Sequence, residues 1–323
     1  ILFFEISLRF TNIFDQLDRH NPSYISPYLR DLDKVKYDEG GTITEDGFRT
    51  WRSGITNLKN TIIKDQGCKI VVLGDSFVMG KGLEAAKTWP AKLEHLTKCN
   101  VYPFGRNGLS SLEQFKLYES YIRDLDVDYV LVGVVSNDPH PRGNFCNLNY
   151  LSSNYIRRHF SIVKNTGIIG KILNKSYAIS YFDQVIDGTI TPIFNTSGSV
   201  NNPPIISWGY ENWEKRLYED DVFKIWLKSV RCFVKKSNHP IGFLLTPTTT
   251  SDQQEFYFSK IEASLIEMDV VFYNSYQKLF EVIGHQRKRS DWASLADGHP
   301  GNIQTSLYAE GALNILRILG YDE

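Results

Sequence analysis

From residue 69 onward, short apolar runs alternate with amphipathic patterns along the chain. Five runs predict β-strands, and several are apolar almost throughout, as expected for strands covered on both faces. Because strands that alternate with helices form parallel sheets, the pattern predicts a three-layer α/β/α fold with a five-stranded parallel sheet. The predicted strands are residues 69–74, 100–104, 128–135, 240–246 and 270–274.

Helical patterns occupy the segments between these strands. One helix is predicted over residues 88–97, with Trp89, Leu93 and Leu96 on one side of it. The next helix begins with the S-x-x-E pattern of a capping box. Further helices are predicted at residues 110–124, about 211–236 and 303–319.

Two regions interrupt this alternation. Residues 10–65 are polar and turn-rich, and residues 141–210 are rich in Asn, Ser and Gly. We therefore expect an N-terminal extension over residues 1–65, and a main domain over residues 66–323 that carries an insertion at about 141–210. The apolar start, ILFFEISLRF, is shorter than the roughly 20 residues that span a bilayer. It fits either the end of an upstream membrane anchor or signal, or an amphipathic helix on the domain.

Composition and charge narrow the function classes. Over 323 residues, 42% hydrophobic and 23% charged residues are values typical of globular proteins. A net charge of −1 gives no electrostatic reason to expect nucleic acid as a partner. The cysteines, Cys68, Cys99, Cys146 and Cys232, show neither a C-x-x-C pair nor zinc-site spacing. We interpret them as free thiols, with one or two disulfides as the alternative.

The first predicted strand leads into the sequence VVLGDSFVMGKG at residues 71–82. A phosphate-binding loop needs G-x-x-x-x-G-K followed by Ser or Thr. Here five residues separate Gly74 from Gly80, and Gly82 takes the place of the hydroxyl residue, which excludes that motif. A serine just past a buried parallel strand projects into the crevice where open α/β sheets bind ligands. Ser76 is therefore a candidate nucleophile, and it must have a base.

Two histidines follow an aspartate at a spacing of two: His140 after Asp138, and His299 after Asp297. His299 lies in a polar loop between the last predicted strand and the C-terminal helix. The carboxyl edge of the sheet would bring this loop beside Ser76. An aspartate can hold the imidazole tautomer so that the other ring nitrogen takes the serine proton. A surface turn that contains a histidine is the alternative for this loop.

Two more loops at the same edge of the sheet carry hydrogen-bond donors. Gly108 follows the second strand and offers a backbone N–H, and Asn137 follows the third strand and offers a side-chain amide. Each residue alone is typical of a turn. Ser, Gly, Asn and Asp/His in this order, after the first, second, third and fifth predicted strands, favour an oxyanion hole beside a nucleophile and base.

At these residues the sequence resembles the SGNH hydrolases, also called the GDSL esterase/lipase superfamily. The resemblance covers residues 69–140 and 240–320, and its first block continues as GDSFVMGKGLEAAKTWPAKLE. That stretch is similar to members found with bacterial surface-polysaccharide genes, which often have an N-terminal membrane anchor. The blocks are GDSF at residues 74–77, Gly108, Gly133 with Asn137-Asp138, and His299-Pro300.

The resemblance implies a flavodoxin-like SGNH fold and a role for each matched residue. Ser76 would be the nucleophile and His299 the general base and acid. The Ser76 N–H, the Gly108 N–H and the Asn137 side chain would form the oxyanion hole. Asp297 is assigned as the acid that orients His299, with Asp291 in reserve.

Two blocks depart from the family pattern. The last block is usually D-x-x-H, but Ala296 stands three positions before His299, and Asp297 stands two before it. In the third block, Gly133 lies four residues before Asn137 instead of two.

Four other charged or titratable residues lie near the motif blocks. We expect Asp75 to cap loop amides instead of acting in catalysis. His140 is interpreted as substrate-contacting or structural. Arg106 and Lys81 are interpreted as solvated surface charges, with an anionic group of the substrate as the alternative.

The resemblance further implies a serine esterase that removes an acyl group, O-acetyl by expectation, from a small-molecule or glycan ester. No metal or organic cofactor and no nucleic acid is expected. The alternatives are a polysaccharide O-acetyltransferase with the same triad and a non-catalytic carbohydrate-binding protein. The expected location is the bacterial cell envelope or periplasm, with a membrane anchor upstream of residue 1; cytoplasm is the alternative. The sequence gives no basis for predicting the oligomeric state.

Overall fold

The computed structural model describes residues 41–139, 145, 213–284 and 299–322. All of them belong to one compact unit of the chain, formed by Val35–Cys146 and Pro204–Glu323. Nearly all of the expected insertion and residues 1–40 of the expected extension lie outside the described residues. The division into extension, domain and insertion therefore stays a prediction.

The described residues form the following elements. The strands are β1 (Thr42–Ile43), β2 (Arg49–Thr50), β3 (Lys69–Gly74), β4 (Asn100–Gly105), β5 (Tyr129–Val134), β6 (Ile241–Leu245) and β7 (Phe272–Asn274). The helices are α1 (Leu58–Lys64), α2 (Ser76–Met79), α3 (Trp89–Thr97), α4 (Ser111–Leu117), α5 (Trp213–Leu217), α6 (Asp220–Lys236), α7 (Asp252–Glu267), α8 (Tyr276–Ile283) and α9 (Asn302–Ile318). A π-helical turn, Tyr118–Ile122, continues α4.

The main sheet has five parallel strands, as the apolar pattern predicts. Their order in the sheet is β4-β3-β5-β6-β7. Every residue of β3 is buried. From β3 the chain passes to β4 on one side and then to β5 on the other. In such open sheets, ligands bind beyond the carboxyl ends of the strands where the order reverses. The carboxyl end of β3 therefore lies at the expected place for a site.

Helices cover both faces of the sheet. On one face, Ile70 and Val72 of β3 pack in a buried cluster with Trp89 of α3 and Ile315 of α9. On the other face, Phe243 of β6 lies edge-on to Phe233 of α6. Because neighbouring residues of a strand point to opposite faces, the near-continuous apolar strands fill both interfaces. The three-layer α/β/α fold is confirmed.

The predicted apolar side of α3 is correct at Trp89 and Leu93 but wrong at Leu96, which is 44% exposed. The buried stripe continues at Thr97 instead, four residues after Leu93. The Thr97 hydroxyl donates to the Leu93 carbonyl at 2.9 Å, so this polar side chain is buried with its hydrogen bond satisfied.

The interpretation of the cysteines as free thiols is wrong. Cys68 and Cys99 form a disulfide, and Cys232 is also disulfide-bonded. In the parallel register Lys69 pairs with Asn100, so the residues immediately before the two strands are neighbours. This places the two cysteine Cα atoms 4.8 Å apart, within the usual range for a disulfide.

None of the helices within the described ranges is both long enough and apolar enough to cross a membrane.

Candidate active site

Ser76 lies at the sharp turn between β3 and α2. β3 ends at Gly74, and Ser76 is the first residue of the four-residue helix α2. The Asp75 carboxylate accepts the Phe77 N–H at 2.9 Å and so caps this helix. The expectation that Asp75 caps a loop amide is confirmed. Ser76 is 6% exposed, at the carboxyl edge of the sheet.

Glycines on both sides of this turn are needed for its geometry. A Cβ at Gly74 would lie 2.1 Å from Val78 Cγ2, so only glycine lets α2 fold back closely on β3. Gly80 ends α2 with φ +71°, in the left-handed region that favours glycine. The resemblance to a phosphate-binding loop therefore reflects the backbone conformation of a helix cap.

Arg49, in the strand β2, holds the segment that follows α2. Its guanidinium donates to the Gly80 carbonyl at 2.8 Å and to the Leu83 carbonyl at 2.6 Å. Arg49, which lies in the stretch expected to be an extension, therefore supports the segment that leaves the Ser76 turn.

His299 lies against Ser76. Its Nε2 is 2.8 Å from Ser76 Oγ, whereas the nearest Asp75 oxygen is 3.4 Å from the same hydroxyl. His299 is therefore the closer acceptor for the serine proton. A nucleophile and its base are expected at about 2.6–3.2 Å. The Phe77 ring packs against the imidazole in an edge-to-face arrangement, with the ring centroids 5.6 Å apart.

The segment that carries His299 is fixed at the start of α9. Gln304 accepts the Gly301 N–H at 2.5 Å, which closes the first turn of the helix. Lys92 of α3 donates to the Asn302 carbonyl at 2.7 Å and to the Thr305 hydroxyl at 2.8 Å. Burial lowers the pKa of Lys92 to about 8. Through these contacts, α3 and α9 set the position from which His299 reaches Ser76.

Gly108 and Asn137 lie in turns after the two strands that flank β3. Gly108 has φ +75° in a turn closed by the Leu109 N–H donating to the Arg106 carbonyl at 3.2 Å. Asn137 is half-buried in a turn closed by the Asp138 N–H donating to the Val135 carbonyl at 3.1 Å. Both residues therefore lie in loops that follow the neighbours of β3 in the sheet, and their role as oxyanion donors stays a prediction.

Three further candidates, Asp297, Asp291 and His140, lie outside the described residues. The acid that orients His299 therefore stays a prediction.

The interpretation of Arg106 as a solvated charge is wrong. Its guanidinium lies over the Phe48 ring at 5.2 Å and donates to the Asp46 carbonyl at 3.2 Å.

Two buried carboxyl groups lie behind the nucleophile. Asp75 is 7% exposed and Asp138 is 2% exposed. Burial raises the pKa of Asp75 to about 6. Burial, with the negative charge of Asp75, also raises the pKa of Asp138 well above its ordinary value. Burial therefore acts against ionisation of both acids, and a charge on Asp75 acts further against a charge on Asp138.

The variant Asp75→Asn is expected to remove part of the pH dependence of stability. A carboxyl whose pKa is raised by folding is most favourable when protonated, so its contribution falls as pH rises from about 4 through about 6. The free energy of unfolding of wild type minus that of the variant should fall by roughly 1–3 kcal/mol across this range.

Urea unfolding of both proteins at a series of pH values measures this difference. Asparagine still accepts the Phe77 N–H through its side-chain oxygen, so the variant keeps the cap while it removes the titrating group. A difference that stays constant with pH would contradict the raised pKa of Asp75.

Sequence reasoning missed the supporting contacts of Arg49 and Lys92. Arg49 belongs to a polar stretch outside every motif block, so nothing in its neighbourhood pointed to the Ser76 turn. Lys92 does lie within the extended first block, in TWPAKLE, and that was the available signal.

Among the described residues, no group of three or more His, Cys, Asp and Glu side chains is arranged to hold a metal ion. The described side chains that hydrogen-bond to Ser76 Oγ include those of His299 and Asp75.

Comparison with known proteins gives distant structural matches. No family model and no curated protein matches the chain. One matching structure is a member of the lipolytic protein G-D-S-L family from Veillonella parvula, 12% identical, with a TM-score of 0.41, covering 78% of this chain and 99% of that one. The chain resembles the SGNH hydrolases.

Two other matching structures are carbohydrate esterases. A catalytic mutant of an acetylxylan esterase from Geobacillus stearothermophilus is 14% identical, with a TM-score of 0.44, covering 80% of this chain and 97% of that one. A family two carbohydrate esterase from Clostridium thermocellum, in complex with cellohexaose, is 11% identical, with a TM-score of 0.42. The match covers 80% of this chain and 66% of that one.

Proposed function

We propose that this chain is a serine esterase of the SGNH type that hydrolyses an acyl ester through an acyl-enzyme. The observation that carries the proposal is the 2.8 Å distance between Ser76 Oγ and His299 Nε2. The two residues are 223 positions apart in the sequence. They meet at the carboxyl edge of the sheet, where the strand order reverses beside β3. A nucleophile with a base in hydrogen-bond reach at that edge is the arrangement that acyl transfer requires.

In the proposed first half-reaction, Ser76 Oγ attacks the ester carbonyl while His299 Nε2 takes the hydroxyl proton. The carbonyl electron pair moves to the oxygen, and the Ser76 N–H, Gly108 N–H and Asn137 amide stabilise the oxyanion. The intermediate then expels the alcohol, which receives the proton from His299, and the acyl group stays on Ser76.

In the second half-reaction, water gives a proton to His299 and attacks the acyl-enzyme. The second tetrahedral intermediate releases the carboxylic acid and returns the proton to Ser76 Oγ. Asp297 is proposed to orient the imidazole. Asp75 keeps its capping role throughout, since its oxygens bind the turn and not the imidazole.

The proposed substrate is a carbohydrate that carries an O-acetyl group. Support comes from the sequence similarity of the first block to members that occur with bacterial surface-polysaccharide genes. The Cys68–Cys99 disulfide supports a location in an oxidising compartment such as the cell envelope, because disulfides are rare in the bacterial cytoplasm. An O-acetyltransferase with the same triad remains the second candidate, since it differs only in the acceptor.

One experiment separates these functions. Wild type and Ser76→Ala are incubated with an O-acetylated polysaccharide, with and without an unacetylated glycan as acceptor. Free acetate released by wild type alone supports the esterase, and acetyl groups on the added glycan would show the transferase. Glycan binding by both proteins, with neither acetate release nor transfer, would contradict both and indicate a carbohydrate-binding protein.

A further inference from the structure

A buried glutamine connects the two loops that flank the nucleophile. Gln114 of α4 is fully buried, with 0% exposure. Its Nε2 donates to the Leu109 carbonyl at 3.3 Å and to Asp138 Oδ1 at 3.3 Å. One side-chain amide therefore uses its two hydrogens on two separate loops.

Each acceptor is the chain neighbour of a proposed oxyanion donor. Leu109 directly follows Gly108, and Asp138 directly follows Asn137. The first loop follows β4 and the second follows β5, which lie on opposite sides of β3. Gln114 therefore spans the end of the strand that delivers Ser76.

Both ends of this link are themselves held in place. Asp138 Oδ2 accepts the Val135 N–H at 2.8 Å, which fixes the turn that contains Asn137. At the start of α4, Glu113 accepts the Ser110 N–H at 2.8 Å, which confirms the predicted capping box. A movement of Gln114 would therefore be passed to the backbone of both loops.

The orientation of the amide is determined by these two acceptors. Gln114 Oε1 is buried and has no hydrogen-bond partner among the described residues. If the amide were turned over, its oxygen would face the Leu109 carbonyl and the Asp138 carboxyl group. The position therefore needs a residue with two donor hydrogens on one atom, which neither glutamate nor an apolar side chain supplies.

We propose that Gln114 is a positioning residue that sets the distance between the Gly108 N–H and the Asn137 amide across the end of β3. The inference rests on the proposed function, because it concerns the same oxyanion hole. Donors must lie about 2.7–3.1 Å from the oxyanion to stabilise it, and loss of one donor costs roughly 10²- to 10³-fold in kcat. Loosening the loops of Gly108 and Asn137 should cause part of that fall in kcat.

The test compares Gln114→Leu with wild type in p-nitrophenyl acetate hydrolysis. We expect kcat to fall roughly 10- to 100-fold, with KM changed less than about 3-fold, because the donors act on the transition state. The inhibition constant of a boronic acid, which forms a tetrahedral adduct with the serine, should weaken in parallel with kcat. Gln114→Met, of similar length and more adaptable, is made alongside in case the leucine variant does not fold.

A second readout is the coupling between Gln114 and Asp138. If they act as one unit, adding Asp138→Asn to Gln114→Leu should lower kcat by less than the product of the two single effects. Fully multiplicative effects would contradict a shared role.

The matched control is Tyr118→Phe. Tyr118 is also fully buried, four positions along the same helical segment, and its hydroxyl bonds with Ser237 at 2.7 Å and His239 at 2.8 Å. Loss of this hydroxyl should lower the melting temperature and leave kcat unchanged. If Tyr118→Phe and the Gln114 variants lower kcat equally at equal stability, Gln114 is only structural and the inference is wrong.

Failure of this inference differs from failure of the proposed function. Unchanged kcat in both Gln114 variants, beside a wild type whose activity depends on Ser76, would overturn the positioning role alone. A wild type without Ser76-dependent esterase activity would overturn the proposed function, and this inference with it.

Discussion

The variant Ser76→Ala is expected to lose ester hydrolysis almost completely, with kcat/KM for p-nitrophenyl acetate reduced roughly 10³- to 10⁶-fold. The Ser76 hydroxyl is the group that His299 can deprotonate at 2.8 Å, and the β3–α2 turn presents it at the edge of the sheet. Without Oγ no acyl-enzyme forms. Initial rates at several substrate concentrations measure the loss.

The fold of this variant should survive, since alanine suits the start of a short helix and removes a single oxygen. Far-ultraviolet circular dichroism and the melting temperature check this. Ser120→Ala, which removes an exposed hydroxyl from the π-helical turn, is the matched control and should keep full activity. Hydrolysis by Ser76→Ala at the wild-type rate would show that the nucleophile lies elsewhere.

The variant His299→Ala is expected to show a loss of similar size, roughly 10³-fold or more in kcat/KM. Serine is a weak nucleophile without a base. The other described oxygen near its hydroxyl, Asp75 Oδ2, lies at 3.4 Å and belongs to a carboxyl group whose Oδ1 caps a helix. Because the variant leaves space beside Ser76, added imidazole should restore part of the activity in a concentration-dependent way.

Two comparisons test whether this effect is specific to His299. His95→Ala removes an exposed histidine of α3 and should change nothing. If His299→Ala keeps full activity while His140→Ala abolishes it, the assignment of the base is wrong. Imidazole should not rescue Ser76→Ala, because a base cannot replace the nucleophile.

The main sheet could be predicted closely because burial on both faces leaves a strong signal. β3 is Lys69–Gly74, which is the predicted range. Each of the other four strands begins and ends within two residues of its own predicted bounds. Helix α7 was not predicted. Its exposed side carries Phe256 and Ile266, which obscures the amphipathic pattern, although Ser251 is an N-cap that could have marked its start.

Two errors concern residues whose environment depends on elements far away in sequence. Cys68 and Cys99 are 31 residues apart, and their pairing follows from the register of two strands. Each cysteine directly precedes a predicted strand, so the position relative to the strands was the usable signal. The partners of Arg106, which are Phe48 and the Asp46 carbonyl, belong to a stretch about 60 residues earlier that was expected to be an extension, so their contact with Arg106 was not expected.

In the candidate site, the reacting residues could be predicted from the sequence and their supporting contacts could not. Ser76 and His299 could be placed together from the sequence, because residues that follow parallel strands meet at one edge of the sheet. The support of that site could not. Arg49 and Gln114 act through backbone carbonyls and a single carboxylate, and such contacts leave no periodicity or motif in the sequence.

The most direct test of the central claim is to identify the residue that a fluorophosphonate probe labels. After reaction with the wild-type protein, proteolysis and mass spectrometry locate the phosphonyl group. We expect it on Ser76, with labelling absent in Ser76→Ala and strongly slowed in His299→Ala. Labelling of another serine, or equal labelling of wild type and His299→Ala, would contradict a Ser76 nucleophile activated by His299.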